Sequence, residues 1–353
     1  MKPTLLHMIY NLGRGGAETM LVTVLNQLPE YRHVVVTLES TNHFEPQPHW
    51  GAFYCLNAPA PQQLPGAAFR LRRIIKKEQP ALVHTHLFWP TFLARMAVPR
   101  SIPLITTIHA FIATSIEYRH RHIRLLDRIS YRWRSSHIVA VAEGARNEYF
   151  DFLKLPEGPS STLYTFADVQ RFKPAEKAVH TGIRLVSTGA MRPQKNQQLM
   201  IRAMHQLREL PVSLDIYGDG PLRNELEELL LQFPGNVQLK GSVPDIEYRL
   251  PQYDGMLMSS HFEGFSLAVL EGMACGLPLL LSDISSFREQ CAGTAWYFRE
   301  NDEADLISQI RGFIRDEPRR RQLAELGYQR CQTFFTLEQH LHSLRQLYQQ
   351  YLP

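Results

Sequence analysis

The sequence predicts an α/β protein of two doubly wound domains, each a parallel sheet with helices on both faces. Short apolar runs alternate with amphipathic segments from the first residues onward, and the alternation breaks and restarts around Phe172-Lys173-Pro174. Such alternation reads as repeated βα units. A length of 353 residues suits two domains of ordinary size. The join is expected near 167–176, giving a first domain at 1–168 and a second at 169–336. A last helix over about 337–353 is expected to pack back onto the first domain. Ligands are expected where strand carboxyl ends face the cleft between the two Rossmann-like domains.

In the first domain, Leu5–Tyr10 reads as a strand, Glu18–Leu28 as a helix and His33–Leu38 as a strand, followed by an irregular Pro-rich stretch from Phe44 to Pro65. Leu71–Lys77 then reads as the end of a helix, Ala81–Thr85 as a strand, Phe88–Ala97 as a helix and Leu104–His109 as a strand. After a long basic helix, His137–Ala142 forms another strand. The second series runs Arg184–Thr188 (strand), Asn196–Leu210 (helix), Ser213–Tyr217 (strand), Leu222–Gln232 (helix) and Val237–Leu239 (strand). Gly255–Ser259, Ser266–Cys275 and Pro278–Leu281 continue it as strand, helix and strand, and Leu337–Tyr351 is the final helix.

Composition is that of an ordinary globular chain, 44% hydrophobic and 20% charged. No run approaches the roughly 18 apolar residues of a membrane span, and Met1–Tyr10 lacks the apolar core of a secretory signal, so a cytoplasmic protein is expected. Four cysteines stand far apart without C-x-x-C spacing, which points to buried reduced thiols rather than a disulfide framework or a zinc site. The net charge of +4 is unevenly placed: 18 Lys+Arg against 12 Asp+Glu through Asp168, and 20 against 22 after it. Basic and apolar residues interleave in Phe69–Lys77 and in Tyr118–Arg134, a pattern suited to an anionic membrane surface.

The most informative run is His261-Phe262-Glu263-Gly264-Phe265-Ser266-Leu267-Ala268-Val269-Leu270-Glu271, followed by Gly272-Met273-Ala274-Cys275-Gly276-Leu277-Pro278. Glu263 precedes a helix and Glu271 lies about two turns inside it, so both can address one ligand at the helix start. Carboxylates accept hydrogen bonds from sugar hydroxyls, and the exposed amides of Gly264, Phe265, Ser266 and Leu267 suit a diphosphate. This run resembles the E-x7-E signature of the family 4 glycosyltransferases. The resemblance implies a GT-B fold and retaining sugar transfer. It implies that Glu271 binds the nucleotide ribose, that Glu263 contacts donor-sugar hydroxyls, and that the Phe265–Leu267 amides meet the diphosphate.

Other motifs fall in the same order as in that family. Ser187-Thr188-Gly189-Ala190-Met191-Arg192-Pro193-Gln194-Lys195-Asn196 resembles its G-R-L-x-x-x-K-N loop, where cations stabilise charge on the leaving diphosphate. Lys195 matches the family lysine. Ala190 replaces the usual arginine, and Arg192 is expected to reach the same phosphates. Gly218 belongs to a G-x-G-P turn near the nucleotide, and Val243 lies where relatives hold the base. Gly15 and Gly16 match the G-G-A-E loop, whose amides face the diphosphate. The glycines at 13, 15 and 16 do not form the G-x-G-x-x-G dinucleotide fingerprint. His109 ends a strand where family members place a histidine facing the donor sugar. His84-Thr85-His86 closes another strand, is expected to shape the acceptor side, and shows no third ligand in sequence that would make it a metal site.

The expected activity is therefore transfer of a sugar from a nucleoside-diphosphate donor to a hydroxyl acceptor on a lipid-linked or growing surface polysaccharide or lipopolysaccharide. Glu263, His109 and Lys195 are the expected catalytic residues. No cofactor and no metal are expected, because no D-x-D cluster is present and Lys195 with helix amides can meet the diphosphate. Nucleic acid is not an expected partner, and peripheral contact with an anionic membrane is. Two alternatives stand beside this reading: a nucleotide-sugar epimerase or hydrolase of the same shape, and a non-catalytic scaffold in a polysaccharide assembly complex.

Overall fold

The computed structural model describes residues 2–13, 15–44, 50–115, 117–177 and 179–352. It divides the chain into two compact units, residues 1–165 with 338–353, and residues 166–337. In the first, β1 (Thr4–Ile9) leads to α1 (Gly16–Asn26), β2 (Arg32–Thr37) and β3 (Trp50–Cys55). Next come α2 (Leu64–Glu78), β4 (Leu82–His86), α3 (Phe88–Ala97), β5 (Leu104–Ile108) and α4 (Arg121–Trp133). The series ends with β6 (His137–Ala140), α5 (Glu143–Leu153) and β7 (Ser160–Thr162). The strands form one parallel sheet ordered β3-β2-β1-β4-β5-β6-β7. Val34, Val36, Val83 and Leu104 bury against α2 and α3 on one face, and Ile9, Leu21, Leu25 and Val35 form a cluster on the other.

Within the stretch Phe44–Pro65, which the sequence presents as irregular, Trp50–Cys55 is an edge strand, and α2 begins before the stretch ends. Residues 45–49 lie outside the described set. Edge position explains why no clear signal appears: β3 has one neighbour, and none of its residues is fully buried, so neither a continuous apolar run nor strict alternation is required.

The second unit repeats the pattern with β8 (Ile183–Thr188), α6 (Gln197–Gln206), β9 (Val212–Tyr217), α7 (Arg223–Gln232) and β10 (Val237–Gly241). It continues with α8 (Ile246–Arg249), β11 (Gly255–Met258), α9 (Leu267–Ala274), β12 (Leu279–Ser282), α10 (Ser285–Cys291) and β13 (Trp296–Phe298). Two further helices, α11 (Glu303–Arg315) and α12 (Glu317–Phe334), complete it, each with an aspartate at its N-cap accepting a backbone N–H. The parallel sheet is ordered β10-β9-β8-β11-β12-β13. Leu185, Leu214, Ile216, Leu257, Leu280 and Phe313 are among its fully buried core residues.

The final helix, α13 (Leu337–Gln349), covers the sheet of the first unit. Tyr348 is completely buried there and shares a 2.7 Å hydrogen bond with His84 Nδ1, while Arg345 pairs with Glu30 at 2.6 Å. Among the described residues all four cysteines are free; Cys275, Cys291 and Cys331 are buried, whereas Cys55 on the edge strand is half-buried. No described helix is long and apolar enough to cross a membrane.

Candidate functional site

Strand order in the second sheet reverses between β8 and β11, and a doubly wound sheet opens a crevice at the strand carboxyl ends beside such a reversal. The two strongest motifs occupy the loops that leave these strands. Ser259 ties them together: its hydroxyl donates toward the carbonyls of Lys195 and Asn196 at 2.9 and 2.8 Å. The Gln194 amide group donates to Phe262 O, and Gln194 O accepts from the His261 N–H. The loops are thus cross-braced before any charged group is considered.

That bracing brings Lys195 and Glu263 together. Lys195 Nζ lies 2.6 Å from Glu263 Oε1, which also accepts from the Ser260 hydroxyl at 2.7 Å. The carboxylate side chain is only 8% exposed and the lysine 16%, so the pair is largely withdrawn from water. A desolvated charge pair is costly to break, which fixes the ammonium in place rather than leaving it on a mobile stem. Arg192 is exposed and extended at the start of the same turn, and among the described residues it has no ion-pair partner.

Helix α9 starts at Leu267 with Ser266 as its N-cap. The Ser266 amide does not remain available: it donates to Gln290 Oε1 at 3.1 Å, and Gln290 Nε2 donates back to Ser266 O at 2.9 Å. Ser266 can therefore offer a ligand its hydroxyl, not its N–H. The amides of Gly264 and Leu267 have no partner among the described residues. Phe265 is buried and packs edge-on against Phe335 with ring centroids 5.2 Å apart. Glu271 sits in the second turn of α9, and burial raises its carboxyl to about 7, opposed by Arg171 and reinforced by Glu247. Arg171 and Glu247 grip each other through two contacts, at 2.8 and 2.9 Å.

The glycine turns serve close packing. Gly218 has φ +131°, and a Cβ there would stand 2.0 Å from Gly189 O, so only glycine lets the loops after β8 and β9 meet. Gly189 N–H donates to Tyr217 O, Met191 N–H to Asp219 O, and Gly218 N–H to Gly241 O. Val243 lies half-buried just beyond β10 in the loop that follows this lacing.

In the first unit the order reverses between β1 and β4. Gly15 and Gly16 are the N-cap and first residue of α1, leaving β1, with Glu18 folded back against Gly15. Arg14 lies outside the described residues. His109 follows β5 at the rim of a cavity of about 70 Å³ lined also by Thr107, Ile112, Glu117, Tyr118 and Tyr149. Burial, with His340 nearby, lowers its imidazole to about 4. Its Nε2 lies 3.0 Å from His86 Nδ1. His84 and His86, read from sequence as lacking a third imidazole, have one in His7 of the neighbouring strand.

Comparison with known proteins bears on this geometry. Residues 168–330 match the family described as "Glycosyl transferases group 1", and residues 14–171 match "Glycosyltransferase Family 4". The chain belongs to the family 4 glycosyltransferases. Among relatives of this family 4 chain, the N-acetyl-alpha-D-glucosaminyl L-malate synthase of Bacillus anthracis is 24% identical over 276 residues, covering 73% of this chain and 71% of the relative. The UDP-Gal:alpha-D-GlcNAc-diphosphoundecaprenol alpha-1,3-galactosyltransferase of Escherichia coli is 25% identical over 241 residues, 61% of either chain. Anabaena HepE, solved in complex with UDP and glucose, superposes with a TM-score of 0.83 at 15% identity over 99% of this chain and 100% of that one. The fold is the GT-B fold of such transferases.

Sequence reasoning missed four residues that hold the candidate site together: Arg171, Glu247, Gln194 and Ser260. Gln194 and Ser260 lie inside or beside recognised motifs, so spacing alone flags them. Arg171 and Glu247 are 76 positions apart, and nothing short of the fold makes them neighbours.

Proposed function

We propose that this family 4 glycosyltransferase moves a sugar from a nucleoside-diphosphate sugar to a hydroxyl of a lipid-linked or growing surface glycan, with retention at the anomeric carbon and without a metal ion. The observation that carries the reading is the buried Lys195–Glu263 pair, set between the carboxyl ends of β8 and β11 and beside the N-terminus of α9. A diphosphate at that helix start meets the Gly264 and Leu267 amides and the Lys195 ammonium, with Arg192 free to swing in from the surface. Glu271 accepts from ribose hydroxyls. Glu263 is anchored through Oε1, and Oε2, met among the described residues only by the Gln194 amide group at 3.5 Å, keeps capacity to accept from hydroxyls of the sugar.

Bond breaking transfers negative charge to the leaving diphosphate, and fixed cations and amides stabilise that charge without reorganising. On this reading the acceptor hydroxyl attacks from the face the diphosphate leaves, and a phosphate oxygen takes its proton. No protein base is then required, which agrees with a His109 whose imidazole, lowered to about 4 by burial, is a weak base. The lipid-linked acceptor is suggested by the name of the Escherichia coli relative. Exposed Leu125, Ile129 and Trp133, spaced four apart on the basic helix α4, offer an apolar stripe for peripheral contact with an anionic bilayer.

The test is calorimetric titration of UDP, GDP and ADP into the native protein and Glu271→Ala, with no divalent metal. Micromolar binding of one nucleotide, weakened at least tenfold by the substitution, is expected. Failure of all three to bind the folded protein would overturn the donor-site assignment.

A further inference from the structure

His84 and His86 stand two residues apart on β4, and the register pairs His7 of β1 with His84. Side chains alternate along a strand, so the three imidazoles share one face of the sheet. All are at most 3% exposed, and one ring nitrogen from each lies within 4.8 Å of the others. Ring centroids are 5.9 Å apart for His7 and His84 and 4.5 Å for His84 and His86. A tetrahedral zinc ion with bonds of about 2.0–2.1 Å holds its imidazole centroids roughly 5 Å apart, between these two values.

Hydrogen bonding shows where the lone pairs are. The Leu28 carbonyl can only accept, so His33 Nε2 carries its proton and donates at 2.9 Å. Neutral His33 then has its lone pair on Nδ1, which accepts from His7 Nε2 at 3.2 Å. The proton of neutral His7 is thereby placed on Nε2, and its Nδ1 is a bare, buried lone pair with no partner among the described residues. His86 repeats the pattern: Nδ1 engages His109, and Nε2 is buried without a partner. Metal-ligating histidines characteristically have the other nitrogen held in this way. His84 engages hydroxyls at both nitrogens, Tyr348 and Thr107, and can release one while the other orients the ring.

We propose that His7, His84 and His86 bind a divalent transition-metal ion of the zinc class, with water as fourth ligand. A cavity of about 20 Å³ lined by His84, His86 and His340 has room for that water, which needs about 10–15 Å³. To reach tetrahedral spacing the His7 and His84 rings close by roughly 1 Å and the His84 and His86 rings open by about half an ångström. The ion is structural: it staples β1 to β4, the strands between which sheet order reverses, and lies in the other unit from Lys195 and Glu271. Ligation through His86 Nε2 also keeps the His86 proton on Nδ1, so His86 donates to His109 and leaves the His109 proton on its Nδ1.

Untagged full-length protein, stripped with chelator and dialysed, is titrated with Zn²⁺ by calorimetry and with Co²⁺ by visible absorption. One equivalent per chain at micromolar affinity or tighter, tetrahedral cobalt bands and a raised melting temperature are expected. His7→Gln weakens binding at least tenfold. Replacing the exposed surface pair, His120→Ala with His122→Ala, whose rings lie 5.4 Å apart, leaves affinity unchanged. Absence of stoichiometric binding by the native protein, an octahedral cobalt spectrum, undiminished binding by His7→Gln, or loss of binding with the surface pair would each overturn the site. If His7→Gln does not fold, His86→Gln is titrated in its place, and undiminished binding by it overturns the site.

Discussion

Lys195 is aimed by Glu263 and Ser260, so replacing it removes a charge already in position. Lys195→Ala is expected to lower kcat by about 10²–10³ with a smaller change in KM, as measured by steady-state kinetics on the assigned donor. Glu271 gives a pH dependence whose sign can be worked out. Its carboxyl stands at 4.5 when unfolded and about 7 when folded, so its favourable contribution to stability is complete below pH 4.5 and disappears as pH rises through 7. Glu271→Gln should flatten that part of the stability–pH curve, read by denaturant melts. Nucleotide affinity should run the opposite way, improving from pH 6 to 8 as the acceptor ionises, and the substitution should abolish the slope. The motif residues were legible because their chemistry is local: a carboxylate eight positions from another across a helix start, a lysine just ahead of a helix. The Arg171–Glu247 clamp beside Glu271 was not, since its partners meet only through tertiary packing.

At the scale of elements, alternation located most of the strands because central strands of a parallel sheet are buried on both faces and read as apolar runs. It failed at β3, an edge strand, and passed over β7, three half-buried residues at the opposite edge, and β13, three residues at the edge of the second sheet. Helix α4 was visible as basic, and the structure adds which residues face outward. Asp127 on its inner face joins Arg95, Tyr118 and Tyr149 in a buried network, while Leu125, Ile129 and Trp133 are each more than half exposed. Changing those three to serine should reduce cosedimentation with phosphatidylglycerol vesicles and leave nucleotide binding intact. Equal cosedimentation of the variant would refute the membrane-contact reading.

For the whole molecule, the two units are held together by different amounts of chain. The second is one continuous segment, whereas the first needs α13 from the far end of the sequence. Tyr348→Ala removes a fully buried ring and the partner of His84 Nδ1, at a cost of about 3–5 kcal/mol. Calorimetry should show the first unit's transition moving down while nucleotide still raises that of the second. The return of α13 also sets an order of events during synthesis. Residues 166–337 leave the ribosome before α13 does, so the unit encoded first is the one completed last. Until α13 and the residues after it arrive, His84 and His137 on the sheet of the nascent N-terminal half lack Tyr348 and Tyr351, their partners in the finished unit.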